Sequence, residues 1–150
     1  MLRLTLLRHA HASEPPPGGG DHDRPLSARG REAALQLGKR LPALLSMPDR
    51  LRVSPSIRTR QTAQLACSAA WPGLALEVAD ALYLATLDML VDEIAMTPAA
   101  CRHLMLVGHN PGLGDLWSLV GREAGFDGLA PGQWRSREFD VDAWPGVTAR

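Results

Sequence analysis

Three short polar segments of this 150-residue sequence contain side chains that could carry out chemistry together. The first is Arg8-His9, the second contains Arg58, and the third is Gly108-His109. Arginine is always charged and binds phosphoryl oxygens with two hydrogen bonds, and a neutral imidazole is a competent nucleophile near pH 7. A second histidine can donate a hydrogen bond and stabilise charge that develops in the transition state. Together these residue types describe phosphoryl transfer through a phosphohistidine, with no metal or other cofactor required.

The segment around His109 offers two further features for binding an anion. Gly108 would let the backbone approach a ligand closely, because it has no Cβ atom. A helix that begins near Pro111 would direct the positive end of its dipole to the same place. Asn110 could cap that helix or contact the ligand. We therefore expect Arg8, Arg58, His109, Gly108 and Asn110 to bind the substrate.

Secondary structure has to bring these segments together, because they are far apart in the chain. Short apolar runs predict buried strands over residues 2–7, 51–53 and 103–107, and each polar segment directly follows one of these strands. Helical spacing of apolar residues and breaker residues predict helices over 28–45, 57–70, 86–96 and 111–120, with weaker strands over 74–78 and 137–141. This alternation predicts an α/β fold with a mostly parallel sheet, in which the carboxyl ends of the strands carry the site.

Composition excludes several classes of protein. Sixteen basic residues balance sixteen acidic ones, which argues against a nucleic-acid-binding protein. No apolar run reaches the roughly 18 residues that a membrane span requires. Two cysteines, Cys67 and Cys101, are too few for a disulfide framework in a chain of this length, so we expect a cytoplasmic protein.

The three segments also resemble the motifs of a known family. Residues 7–10 (LRHA) resemble the RHG/RHA signature of the histidine phosphatase superfamily, also called phosphoglycerate-mutase-like. Residues 54–62 (SPSIRTRQT) resemble its second motif, SPxxRAxQT, and residues 107–111 (VGHNP) resemble its third. With residues 23–30 (DRPLSARG), the layout is most similar to the small SixA-type phosphohistidine phosphatases. The resemblance covers roughly residues 2–120.

This resemblance implies a single histidine phosphatase domain over residues 1–150, with a three-layer α/β/α sandwich. It also implies that His9 is the nucleophile and that Arg8, Arg58 and His109 complete a phosphate pocket. The implied substrate is phosphohistidine in a protein, and the alternative is a small phosphomonoester. Neither substrate involves a nucleic acid, a membrane or a cofactor.

The sequence departs from the family pattern where a proton donor is expected. Larger relatives place an acidic residue after the third strand, and we align Tyr83 with that acid. Asp80 and Asp88 are alternative donors. The chain also diverges after Gly128, which leaves the last strand open. The breaker cluster at residues 15–20 (PPPGGG) is either a surface connection or a lid beside the site.

Two hypotheses from other classes compete with this interpretation. His9 and His11 have the His-x-His spacing of metal sites in barrel hydrolases, but such a barrel needs about 200 residues or more. A non-catalytic phosphate-binding protein on the same fold is the second hypothesis. The presence of all four pocket residues favours an enzyme.

Overall fold

A five-stranded sheet forms the centre of the computed structural model, which describes residues 1–149. The strands are β1 (Leu2–Arg8), β2 (Arg50–Val53), β3 (Leu76–Val78), β4 (His103–Gly108) and β5 (Trp134–Phe139). Their order is β3-β2-β4-β1-β5, and the first four are parallel. Strand β5 runs antiparallel to β1 at the edge. The α-helices are α1 (Ala28–Leu44), α2 (Ile57–Thr62), α3 (Leu87–Ala95) and α4 (Gly112–Val120).

Both faces of the sheet are covered, which makes the fold an α/β/α sandwich. Side chains alternate between the two faces along each strand. Leu4 and Leu6 of β1 belong to a buried cluster with α3 and α4. Leu7 and Met105 belong to a second cluster on the opposite face, with α1 and the segment that follows α2. The apolar runs in β1 and β4 follow from this double burial, since most side chains on both faces of these strands are buried.

The helix predicted over 57–70 is not uniform. Its first part is α2, and residues Ala63–Ser68 continue it as a π-helical segment. The prediction of a helix was correct, but the apolar spacing does not distinguish the two helical types. Such segments interrupt α-helices often near functional sites.

The last strand lies earlier in the chain than the prediction of 137–141. It spans Trp134–Phe139 and pairs with β1 along its whole length. An edge strand needs little apolar sequence, and only Phe139 of this strand is buried. The loop before it also contacts the end of β1, where the Gly132 N–H is 3.1 Å from the Arg8 carbonyl oxygen. None of the helices within residues 1–149 combines the length and apolar character required to cross a membrane.

Candidate active site

The three polar segments meet at the carboxyl edge of the sheet. Arg8 is the register partner of Gly108 across β1 and β4, and the Ser54 N–H donates to the Val107 carbonyl oxygen across β2 and β4. A cleft of about 320 Å³ opens at this edge. Its lining includes Arg8, His9, Asp21, Arg24, Arg58 and His109. The parallel sheet thus brings together residues that are up to 101 positions apart in the sequence, as predicted.

Hydrogen bonding defines which nitrogen of His9 is available. Its Nδ1 lies 2.7 Å from the carbonyl oxygen of Ala10. A carbonyl oxygen only accepts, so Nδ1 carries the proton and Nε2 keeps a free lone pair. Burial, with the charges of Arg58 and Arg8, lowers the pKa of His9 to about 4, against an opposing effect of the Ala10 hydrogen bond. The ring is therefore neutral near pH 7, with a nucleophilic nitrogen.

The tautomer of His109 follows from its two neighbours. Arg58 Nη2 lies 3.3 Å from Nδ1 of His109, and the hydroxyl of Ser54 lies 2.7 Å from Nε2. Arginine only donates, so Nδ1 accepts and the Nε2–H group donates to Ser54. Burial, followed by the charge of Arg58, lowers the pKa of His109 to about 3. The His9 and His109 rings are 5.4 Å apart between centroids, close enough to act on one small group.

The two arginines differ in how many of their N–H donors already have an acceptor. Arg58 lies in the first turn of α2 and is only 2% exposed. Its Nη1 donates to the backbone oxygen of Asp21 over 2.7 Å, and its Nη2 donates to the Asp21 carboxylate over 3.0 Å. Arg8 donates from Nη1 to the Leu129 carbonyl oxygen over 2.9 Å. The buried Nε atoms of Arg8 and Arg58 have no acceptor among residues 1–149, so both guanidinium groups retain donor capacity.

An aspartate that the sequence analysis did not select completes the cleft. The Tyr83 hydroxyl donates to Oδ2 of Asp21, and Arg24 lies 3.4 Å from Oδ1. These hydrogen bonds, with that of Arg58, lower the pKa of Asp21 to about 2. The signal for this residue was its position, directly after the breaker cluster and three residues before Arg24. The sequence does not reveal that the loop carrying Asp21 returns to contact Arg58.

The three candidate proton donors take different places. Tyr83 stands at the site, with its ring edge-on to His109 at 5.6 Å between centroids. Asp80 and Asp88 are exposed and do not line the cleft. The hydrogen bond to Asp21 raises the pKa of Tyr83, which makes its hydroxyl a weaker acid. The structure thus brings only the tyrosine of the three into contact with the candidate catalytic groups.

Gly108 and Asn110 have other contacts than those expected. A Cβ atom on Gly108 would be 3.6 Å from the Leu113 side chain, an ordinary contact, and Gly108 does not line the cleft. Asn110 lines the cleft, but its Nδ2 donates to the Leu129 carbonyl oxygen over 2.7 Å. No side chain caps the start of α4, where Pro111 is the capping residue. The side chain of Asn110 therefore connects two loops of the site and does not cap the helix.

The breaker cluster belongs to a loop over residues 13–25, the lid loop, in which Asp21 and Arg24 line the cleft. Its base is closed by a bridge between Ala12 and Leu26 and by the Ser13 N–H, which donates to the Pro25 carbonyl oxygen over 2.8 Å. Arg24 donates to the Ser13 carbonyl oxygen over 3.0 Å, so it anchors the loop as well as pairing with Asp21. Residues 15–20 do not line the cleft themselves, so the surface connection and the lid both stay predictions for this cluster.

The His-x-His pair lines the cleft but is not part of a ligand set among residues 1–149. His11 is exposed, and its Nδ1 lies 2.8 Å from the Ser27 hydroxyl. His9 is directed into the cleft with its Nδ1 bound to Ala10. Across residues 1–149, no group of three His, Cys, Asp or Glu side chains comes together as a ligand set. The described part of the chain thus offers no support for the barrel-type metal site.

Comparison with known families agrees with this geometry. The family model of the histidine phosphatase superfamily (branch 1) matches residues 4–83. The chain belongs to this superfamily. An uncharacterized protein of Picosynechococcus sp. is 30% identical over 121 residues, which cover 76% of this chain and 70% of that protein. An uncharacterized chloroplastic protein of Arabidopsis thaliana is 43% identical over 60 residues, which cover 40% of this chain and only 28% of that protein.

Solved structures place the chain among SixA-type members of the superfamily. A protein assigned as the phosphohistidine phosphatase SixA of Nakamurella multipartitia has a TM-score of 0.81 and 29% identity, covering 98% of this chain and 89% of that one. Its counterpart from Agrobacterium tumefaciens has a TM-score of 0.80 and 30% identity, covering 90% of each chain. A mycobacterial glucosyl-3-phosphoglycerate phosphatase, at 19% identity, shares the fold, with a TM-score of 0.66 and coverage of 90% and 89%. The family match and the two SixA similarities support phosphatase activity.

Two motif residues of this superfamily member hold the backbone of the loops that carry site residues. The Thr62 hydroxyl accepts from the Ala10 N–H over 3.0 Å, beside the carbonyl group that orients His9. Gln61 accepts from the Leu26 N–H over 2.8 Å and holds the end of the lid loop. Both residues occupy the QT positions of the motif at 54–62. Because Gln61 and Thr62 both belong to α2, this helix contacts the segment that contains His9 through one residue and the end of the lid loop through the other.

Proposed function

We propose that this protein is a phosphatase that removes the phosphoryl group from phosphohistidine in a protein, through a covalent intermediate on His9. The single observation that supports this most is the hydrogen bond from Nδ1 of His9 to the Ala10 carbonyl oxygen. It leaves the Nε2 lone pair free toward a cleft that is rich in guanidinium groups. That pairing of a neutral nucleophile with an anion site is what phosphoryl transfer requires.

In the first step, Arg8 and Arg58 bind the oxygens of the phosphoryl group, and His109 stabilises the charge that develops on this group in the transition state. The lone pair on Nε2 of His9 forms a new N–P bond. The bond between phosphorus and the substrate nitrogen breaks, and its electron pair stays on that nitrogen. Arg58 and His109 are already in contact, so their side chains need to move little, and His109 has only to exchange its ring proton from Nε2 to Nδ1 before it donates to a phosphoryl oxygen.

In the second step, water attacks the phosphorus of phosphorylated His9. The N–P bond breaks, its electron pair returns to Nε2, and inorganic phosphate is released. The carbonyl oxygen of Ala10 keeps the imidazole in one orientation throughout both steps, because the Nδ1–H donor has a fixed acceptor. This cycle returns the enzyme to its starting state without a cofactor.

The acidic groups described at the site, Asp21 and Tyr83, favour phosphohistidine over an ester as the substrate. An alkyl phosphate leaves as an alkoxide unless a proton is delivered, and a positioned general acid is worth about 10²–10⁴ in rate. Asp21, with a pKa of about 2, is ionised at neutral pH, and the raised pKa of Tyr83 makes it a weak donor. An imidazole that is protonated on its second nitrogen leaves without this help.

A small-molecule phosphomonoesterase is the second candidate function. It is favoured by the fold that the chain shares with the mycobacterial glucosyl-3-phosphoglycerate phosphatase.

The two free cysteines are both buried, which fits the reducing cytoplasm that we propose as the location.

A substrate panel tests the proposal. We expect kcat/KM for a phosphohistidine peptide or phosphocarrier protein to exceed that for a sugar phosphate by at least about 10². The preference should persist in a chelator, because no step uses a metal. His9→Ala serves as the inactive control. Equal values, or a preference for the ester, would favour the phosphomonoesterase.

A further inference from the structure

The Asp21 carboxylate faces the phosphoryl site from the lid. It and Nδ1 of His109 lie on either side of one nitrogen atom, Nη2 of Arg58, at 3.0 and 3.3 Å. Its side chain remains 45% exposed, so it also borders the mouth of the cleft. A negative charge is therefore built into a site that otherwise presents arginines and neutral histidines to an anion.

This carboxylate has reasons to stay in place when a phosphoryl group binds. Two of its three side-chain partners, the Tyr83 hydroxyl and Arg24, are not among the proposed phosphoryl ligands. The backbone oxygen of Asp21 is held separately by Nη1 of Arg58 over 2.7 Å. Arg8 keeps donors that no described residue occupies, so a phosphoryl group can bind without displacing the whole lid.

We propose that Asp21 is a specificity-determining residue, which favours a leaving imidazole with a proton on its second nitrogen and disfavours a substrate with a second anionic group. The proposal rests on the function proposed above. The carboxylate accepts a hydrogen bond from the N–H of the phosphoimidazole and stabilises its protonated form. When the P–N bond breaks, its electron pair stays on the nitrogen that held phosphorus, and the imidazole leaves neutral with its proton in place.

The same charge repels a carboxylate or a second phosphate on the leaving group. At a partly exposed site, a negative charge on the substrate about 6 Å from the carboxylate weakens binding by roughly tenfold relative to a neutral substrate. The lid would thus separate phosphohistidine from the acidic phosphate esters that are common among small metabolites. Asp21 is more than a counterion of Arg58 in this proposal, because it acts on the part of the substrate that departs.

Three small substrates test the proposal with the full-length enzyme: phosphoimidazole, phenyl phosphate and 4-carboxyphenyl phosphate. For Asp21→Asn we expect the kcat/KM ratio of 4-carboxyphenyl phosphate to phenyl phosphate to rise about tenfold. We expect the ratio of phosphoimidazole to phenyl phosphate to fall about tenfold, because the amide no longer stabilises the protonated imidazole. Asp21→Glu keeps the charge and should retain the order of the wild-type enzyme.

Asp23→Asn is the matched control, with the same charge change in the same loop. Asp23 accepts from the Gly20 N–H and does not line the cleft. Its two ratios should stay within about twofold of wild type, since the added distance weakens the charge effect. Melting temperatures of all variants separate loss of folding from loss of selectivity.

Two results would overturn the inference: a parallel change of all three substrates in Asp21→Asn, or an equal shift of the ratios in Asp23→Asn. Failure of the proposed function would look different. In that case the wild-type enzyme would not prefer phosphohistidine, while the comparison of the two phenyl esters would still report on the charge of Asp21.

Discussion

Nε2 of His109 lies 2.7 Å from the hydroxyl oxygen of Ser54, and both side chains are buried where β4 and β2 end. His109 donates this hydrogen bond, because its Nδ1 accepts from Arg58. To donate from Nδ1 to a phosphoryl oxygen, the ring needs its proton on the other nitrogen. A hydroxyl can donate or accept, so Ser54 satisfies Nε2 in both tautomers. We therefore expect Ser54 to keep Nε2 of His109 hydrogen-bonded throughout the proposed reaction.

Removal of that hydroxyl should slow the reaction more than it weakens binding. For Ser54→Ala we expect kcat to fall by about 10- to 100-fold, because an unpaired buried ring nitrogen costs about 1–3 kcal/mol. The value of KM should change little. Steady-state kinetics with a phosphohistidine peptide measure both. Ser136→Ala removes a hydroxyl that contacts Thr5 within the sheet and should leave kcat close to wild type.

The two histidines should differ in how completely their loss stops turnover. His9→Ala removes the atom that forms the covalent bond, so we expect neither turnover nor an acid-labile phosphoenzyme. His109→Ala removes one transition-state donor and should slow the reaction by roughly 10²–10³. Rapid acid-free quenching with radiolabelled substrate detects the intermediate. Near wild-type activity of His9→Ala would contradict the mechanism.

The depressed pKa of His9 predicts its titration behaviour. With a pKa of about 4, the folded-state ring stays neutral from pH 8 down to about pH 5 and gains its proton only below that range. The ring resonances followed by NMR in the free enzyme should therefore not shift around pH 6.5, where an ordinary histidine titrates. Arg58→Gln should raise the midpoint, since the Arg58 charge lowers the pKa. A midpoint near 6.5 in the wild-type protein would show that the site does not depress the pKa.

A glycine behind the His9 segment should be intolerant of a side chain. A Cβ atom on Gly30 would lie 2.0 Å from the backbone oxygen of His11, two residues after the nucleophile. We expect Gly30→Ala to lower the free energy of unfolding by about 1–3 kcal/mol, because the backbone around His11 must move. Activity should fall with it. Gly73→Ala is the control, because a Cβ atom there meets nothing within 4 Å. Denaturant titration of both variants measures the difference.

Much of the fold could be predicted because its strands are buried on both faces. The runs around Leu4 and Leu104 are mostly apolar, and polar segments follow them at once. In contrast, β5 is mostly half-buried and pairs with one neighbour, so its polar sequence carries little periodicity. Its position depends on the backbone contact of Gly132 with Arg8, which no local pattern reports.

The sequence by itself determined which groups meet at the site: the motifs around Arg8, His9, Arg58 and His109 follow strands whose carboxyl ends must share one edge of a parallel sheet. Only the tertiary structure decided the protonation pattern and the charge of the cleft. The hydrogen bond of Asp21 with Arg58 joins positions 37 residues apart, and that of Ser54 with His109 joins positions 55 apart. Apolar periodicity reports the local burial of a segment, whereas the partner of a polar side chain depends on where distant loops close in space.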